Sequence, residues 1–259
     1  MSALSLAGRR ILVTRAAHQA GKLSEGLRAL GAEPVEVPVI EIQPPTDFAP
    51  LDRALRALDS YDWLILTSAN TVRALADRAA QLNISVQRSA PPQVAAVGET
   101  TAEAARHAGL PVTLVPETYV AESLKESLAV QTRGKKVLLA RAAIARDVIP
   151  HALRAAGATI DVVDAYRNVM PASAPALLRD ALKKGIAAAA FTSSSSVTHL
   201  ADAARQAGIA FPFAGVAAIS IGPITSKTLR DLGWEPAAEA NPSDVPGLIQ
   251  ATRRGLSNQ

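Results

Sequence analysis

The runs DWLILTSANTV (Asp62–Val72) and AAAAFTSSSSVTHL (Ala187–Leu200) each end an apolar stretch on Thr-Ser and continue in a helical pattern. A hydroxyl at such a junction can cap the helix, and the free N–H groups of the first turn, with the helix dipole, attract an anion. Thr67, Ser68 and Asn70 in the first run, and Thr192, Ser193 and Ser194 in the second, are therefore candidate ligand contacts. Gly98 and Gly222 repeat the theme: each follows a short apolar run, with a helix expected near Thr100-Thr101 or Ile224-Thr225. Glycine at that point lets a ligand approach the backbone closely. Arg15 and Arg141 follow a third pair of apolar runs and, as a repeated pair, suit anion clamps. Taken singly, each Ser or Thr is an ordinary cap and each Arg could be a structural ion-pair residue. Three polar or glycine strand ends per half of the chain, on one sheet edge, favour a ligand site.

Other chemistries lack their residues. There is no cysteine, which removes disulfides, thiolate catalysis and Cys-ligated metals. His18, His107, His151 and His199 are scattered, without the spacing of a metal site. No phosphate-binding or dinucleotide-binding glycine motif occurs, and no serine sits in a nucleophile elbow. Asp52, Asp59 and Asp62 read as solvated or capping carboxylates rather than a general acid/base pair. The candidate site is rich in donors and poor in bases and nucleophiles.

The chain has 259 residues, 49% hydrophobic and 19% charged, in the range of a folded α/β protein. Aromatics are only 3%, so the core must be built from Ala, Val, Leu and Ile. The net charge is +4, but the basic residues are dispersed and no aromatic-rich strand resembles a base-stacking platform, which argues against nucleic acid. No window is long and apolar enough for a membrane span, and the opening MSALSLAGRRILVTR is too weakly apolar for a secretory signal. A cytoplasmic protein is expected.

The elements that must position these residues come from a duplication. GRRILVTRAA (Gly8–Ala17) matches GKKVLLARAA (Gly134–Ala143) at an offset of 126, and LRALGAEPVEV (Leu27–Val37) matches LRAAGATIDVV (Leu153–Val163) at the same offset. LTSAN matches FTSSS at 125 (Thr67 against Thr192), and VAAVGETTA matches AISIGPITS at 124 (Gly98 against Gly222). Each unit of about 125 residues alternates strand and helix, which implies parallel strands with covering helices. The expected fold is α/β: two similar three-layer α/β/α domains with parallel sheets and a cleft between them. ILVT, KVLLA, WLILT, QVAAV, AAAAF and VAAIS supply the strands, although the Ala-rich runs alone could be helical. The first helix of each unit should stop at a left-handed glycine, Gly31 and Gly157. PVEVPVIEIQP (Pro34–Pro44) and TIDVVDAYRNV (Thr159–Val169) alternate for longer than an ordinary strand and could pair as a two-stranded bridge. Pro34, Pro38 and Pro44 favour an edge or connector position.

Taken in order, GRRILVTR, YDWLILTSANTV, VAAVGETTA, AAFTSSSSV and ISIGPITS resemble uroporphyrinogen-III synthase over almost the whole chain. The resemblance implies chain-swapped domains of 1–36 with 168–259, and 37–167, joined by connector strands near 35–42 and 160–168. It implies cyclisation of hydroxymethylbilane, a linear polycarboxylate tetrapyrrole, with loss of water and inversion of ring D. No cofactor and no metal is used in the family, and a monomer is expected. Tyr166 matches a family tyrosine at the end of the second connector strand and is the candidate proton donor, against the alternative of a tyrosine that only packs the connector. Thr101 and Thr225 match paired threonines after the glycine turns and are expected to contact substrate carboxylates. Ala16 stands where many members have proline, and Thr71 where a smaller residue is common. The competing reading is a non-catalytic two-domain binder of a polycarboxylate. A sugar-phosphate isomerase is less well supported, because it would need a Glu or His base that no motif supplies.

Overall fold

The computed structural model describes residues 6–87, 92–116, 128, 130–145 and 147–257. Residues 1–5, the start of the stretch weighed as a secretory signal, lie outside them. The strands are β1 (Arg10–Val13), β2 (Glu33–Glu36), β3 (Glu41–Gln43), β4 (Trp63–Leu66), β5 (Gln93–Ala96) and β6 (Val112–Leu114). They continue with β7 (Lys136–Ala142), β8 (Thr159–Val169), β9 (Ala188–Phe191), β10 (Ala217–Ser220) and β11 (Pro236–Glu239). The helices used below are α1 (Gly21–Ala29), α2 (Ala49–Arg56), α3 (Ala69–Gln81), α4 (Glu99–His107) and α5 (Val148–Ala155). After them come α6 (Ala174–Lys183), α7 (Ser194–Ala207), α8 (Pro223–Asp231) and α9 (Val245–Ser257). None of the described helices is long and apolar enough to cross a membrane.

The chain forms two compact units, Met1–Glu41 with Val169–Gln259, and Ile42–Asn168. The first unit holds a five-stranded sheet, β11-β10-β9-β1-β2; the second a six-stranded sheet, β3-β8-β7-β4-β5-β6. Apart from β3, the two orders correspond strand for strand under the sequence repeat. In each sheet the first two strands of one repeat stand beside the last three of the other. The pairings of β1 with β2 and β9, and of β4 with β5 and β7, are parallel. Their carboxyl ends therefore share one edge of each sheet.

Burial explains why these residues make strands. Ile11, Leu12 and Val13 are all 0% exposed, and so are Ala188, Ala189 and Ala190, because helices cover both faces. That double cover decides the Ala-rich runs in favour of strand: a run apolar on every side cannot be a surface helix. Gly31 and Gly157 have φ of 84° and 95°, the left-handed stops expected at the ends of α1 and α5. In the first unit Phe191, Phe211 and Phe213 surround Trp234, with ring centroids 5.1–5.6 Å apart and planes near perpendicular.

The segment Pro34–Pro44 is not one long strand. It breaks into β2 and β3, which are edge strands of different sheets. Pro38 has no N–H for a ladder, and the carbonyl of the next residue, Val39, takes a bond from His199 Nδ1 at 2.9 Å. β6 and β11, which run Val-Thr-Leu and Pro-Ala-Ala-Glu, are additions to the strands expected from the sequence; neither carries enough apolar residues to stand out there.

Candidate functional site

In the second unit, β4 delivers Thr67 and Ser68 to the carboxyl edge. Ser68 is the N-cap of α3, its Oγ accepting from Thr71 N at 3.1 Å. The same Oγ lies 3.1 Å from the Tyr166 hydroxyl and 3.0 Å from Thr71 Oγ1. Thr67 Oγ1 donates to Ala140 O at 3.3 Å, tying the end of β4 to β7. Tyr166 is 6% exposed and belongs to the hydrophobic core, so its ring packs the sheet while its hydroxyl reaches the rim network. The ring thus packs the sheet, as the alternative weighed above has it. Asn70 Oδ1 accepts from Arg73 at 3.4 Å in the first turn of α3. Gly98 is the N-cap of α4, in extended backbone that any residue adopts. Thr101, 6% exposed in the first turn, makes no side-chain hydrogen bond among the described residues. The helices after the two glycines start at Glu99 and Pro223, slightly earlier than the hydroxyl residues suggest, because the glycine itself takes the cap position.

The first unit builds its rim differently. Thr14, fully buried at the end of β1, donates to Ala190 O at 3.0 Å and locks β1 to β9 just before Arg15. Arg15 is half-buried and makes no ion pair or hydrogen bond among the described residues. Burial lowers its pKa, and no carboxylate among the described residues offsets that cost. Ser193 caps α7 through a reciprocal box, with Ser196 N to Ser193 Oγ at 3.2 Å and Ser193 N to Ser196 Oγ at 3.3 Å. Ser194 is drawn into a tie between helices: Thr228 Oγ1 donates to it at 2.8 Å, and its own Oγ donates to Ile224 O at 3.3 Å. Thr192 and Thr225 make no side-chain hydrogen bond among the described residues, and Thr225 is only 4% exposed.

The repeat is thus symmetric in backbone and asymmetric in side chains. Thr67 is bonded where Thr192 is open. Arg141 is not a second copy of Arg15: its Nη1 meets Asp147 Oδ1 at 2.6 Å, which holds the Asp147 carboxyl below its usual range. At the repeat offset of 126 Asp147 falls opposite Gly21, so the first copy has no carboxylate at that place. Asp52 is neither solvated nor capping. Arg78 grips it with two bonds of 2.7 Å from α3, and this guanidinium lowers its pKa. Asp62 accepts the backbone N–H of Lys136 at 2.8 Å and so ties β4 to β7 at their amino ends. Two shallow depressions of about 400 and 370 Å³ lie away from the rim; Trp63 and Gln93, which line the smaller, are the first residues of their strands. Among the described residues no group of three His, Cys, Asp or Glu could hold a metal ion.

A family model for uroporphyrinogen-III synthase HemD matches residues 21–250. A uroporphyrinogen-III synthase of Synechococcus elongatus is 36% identical over 256 residues, covering 97% of each chain. The chain belongs to the uroporphyrinogen-III synthase family. Membership makes it a lyase of tetrapyrrole biosynthesis that cyclises hydroxymethylbilane. Solved structures agree on the two-unit α/β fold. A mutant uroporphyrinogen III synthase from Thermus thermophilus has a TM-score of 0.68 at 21% identity, covering 97% of this chain and 100% of that one. The synthetase from Helicobacter pylori has a TM-score of 0.62 at 19% identity with the same coverage.

Proposed function

We propose that the rim residues bind the carboxylates of hydroxymethylbilane while the chain loses water, inverts ring D and closes to uroporphyrinogen III. The observation that carries this assignment is Arg15: a half-buried, desolvated guanidinium with no carboxylate among the described residues, at the end of a buried strand. An anionic substrate group would complete it. The half-buried Thr192, the buried but unbonded hydroxyls of Thr101 and Thr225, and the first-turn amides behind Gly98 and Gly222 suit further carboxylates.

Little acid/base chemistry is needed. The hydroxyl takes one proton from the enzyme, leaves as water and gives a protonated azafulvene. The substituted carbon of ring D attacks its methylene carbon to form a cationic spiro intermediate, and the ring proton lost at the end restores the one supplied. Rearrangement and loss of a ring proton yield the type III macrocycle. Tyr166 is positioned to supply the first proton. Ser68 Oγ already accepts from Thr71 N, so its own proton can go to the Tyr166 oxygen and leave the phenol proton for the departing hydroxyl. The larger contribution is orientation, up to about 7–11 kcal/mol for well-placed intramolecular reactions. Unguided closure joins the wrong carbon of ring D. The test is product analysis: purified protein and hydroxymethylbilane should give the type III isomer faster than buffer gives type I. Type I alone, at the buffer rate, would overturn the assignment and favour a binder without turnover.

A further inference from the structure

Ser243 belongs to none of the repeated motifs, yet it stands at the rim. The loop that carries it follows β11, anchored where Ala240 N donates to Ser220 O at 2.9 Å beside the end of β10. Its far side is fixed by the start of α9, where Asp244 Oδ1 accepts from Gly247 N at 2.6 Å and Asp244 N donates to Pro242 O at 2.9 Å. Gly247 has no room for a side chain there, since a Cβ would sit 2.0 Å from Pro242 O. The loop therefore has little freedom. On it Ser243 is exposed, and its hydroxyl makes no hydrogen bond among the described residues.

The neighbour of Ser243 is Gly222. A Cβ on Gly222 would lie 2.7 Å from Ser243 Oγ and 3.3 Å from Ser243 Cβ. The φ of Gly222 is 168°, extended backbone that does not itself require glycine. The space above Gly222 is thus taken by Ser243, not left open for a ligand. Gly222 caps α8, whose ladder begins with Ser226 N to Gly222 O at 3.0 Å, so the amides of Ile224 and Thr225 precede it unpaired in the helix.

We propose that Ser243 is a substrate-contact residue, donating its hydroxyl to a tetrapyrrole carboxylate at the start of α8, and that Gly222 is a positioning residue that seats it. This rests on the reaction assigned above and adds a donor to the same rim. Ser243→Ala should raise KM on the order of tenfold or more, the loss expected for a hydrogen bond to a charged group, with melting temperature unchanged. Gly222→Ala should turn the serine hydroxyl aside and shift Ser243 Cβ, 3.3 Å away, by a few tenths of an ångström, raising KM to a similar extent at the cost of a small fall in melting temperature. The double variant should be no worse than Ser243→Ala, since both changes remove one contact. A wild-type KM in Ser243→Ala overturns the proposal. So do additive losses in the double variant, which would mean that Gly222 meets the substrate itself. Calorimetric binding of uroporphyrinogen III separates this from the reaction. A wild-type protein that yields only type I, while Ser243→Ala loses product affinity, would overturn the reaction and leave the contact standing; equal affinities would remove the contact.

Discussion

Replacing Arg15 by methionine should have opposite consequences for stability and for function. The guanidinium sits half-buried at the end of β1, held there because Thr14 fixes the strand to β9. Its pKa is lowered by desolvation, so a partly buried charge stands without a compensating partner among the described residues. Methionine keeps most of the apolar stem and removes that cost. Thermal stability should then stay level or rise. Substrate binding should move the other way, since the charge-assisted bonds that Arg15 would make to a carboxylate are worth about 1.5–3 kcal/mol, roughly 10- to 150-fold in KM. Arg141→Met is the internal comparison. That arginine already has Asp147, so its removal breaks an ion pair and should not raise stability. The assay is steady-state kinetics on hydroxymethylbilane beside thermal unfolding, for wild type and both variants. A fall of several degrees in the melting temperature of Arg15→Met with unchanged kinetics would refute the reasoning. It would mean that the side chain serves the fold and that its missing counter-charge has no bearing on substrate.

Tyr166→Phe should lower kcat by about 10²–10⁴-fold if the phenol protonates the leaving hydroxyl, with a stability loss of only about 1 kcal/mol because Ser68 keeps its bond to Thr71; an unchanged kcat removes it from the chemistry. Asp52 has its pKa lowered in the folded state by Arg78, so the pair stabilises above the unfolded carboxylate pKa of about 3.9 and that stabilisation is lost as pH falls through the lower folded value. Asp52→Asn should therefore flatten the fall of melting temperature with pH in the acid range, and identical acid profiles for the two proteins would show that the pair is not coupled to unfolding.

The residue order was enough to find the buried central strands, the left-handed stops at Gly31 and Gly157, and the hydroxyls at the ends of β4 and β9, but not β6, β11 or the break between β2 and β3. The features found depend on local chemistry: apolar runs, a cap and a backbone angle are written in adjacent residues. The repeat gave the backbone kinship of the two sheets for the same reason. Which strands share a sheet, however, depends on pairings between distant segments, and β1 and β2 stand with β9–β11 rather than with β4–β6. Side-chain roles diverged too. Arg15 and Arg141 occupy matching places, yet among the described residues only Arg141 pairs with an aspartate, and Ser243, which crowds Gly222, belongs to none of the repeated motifs. Adjacent residues determine what an element can be, but charge pairing and close approach are set by atoms that meet through space. The tertiary structure alone decided which of the paired donors found a protein partner among the described residues.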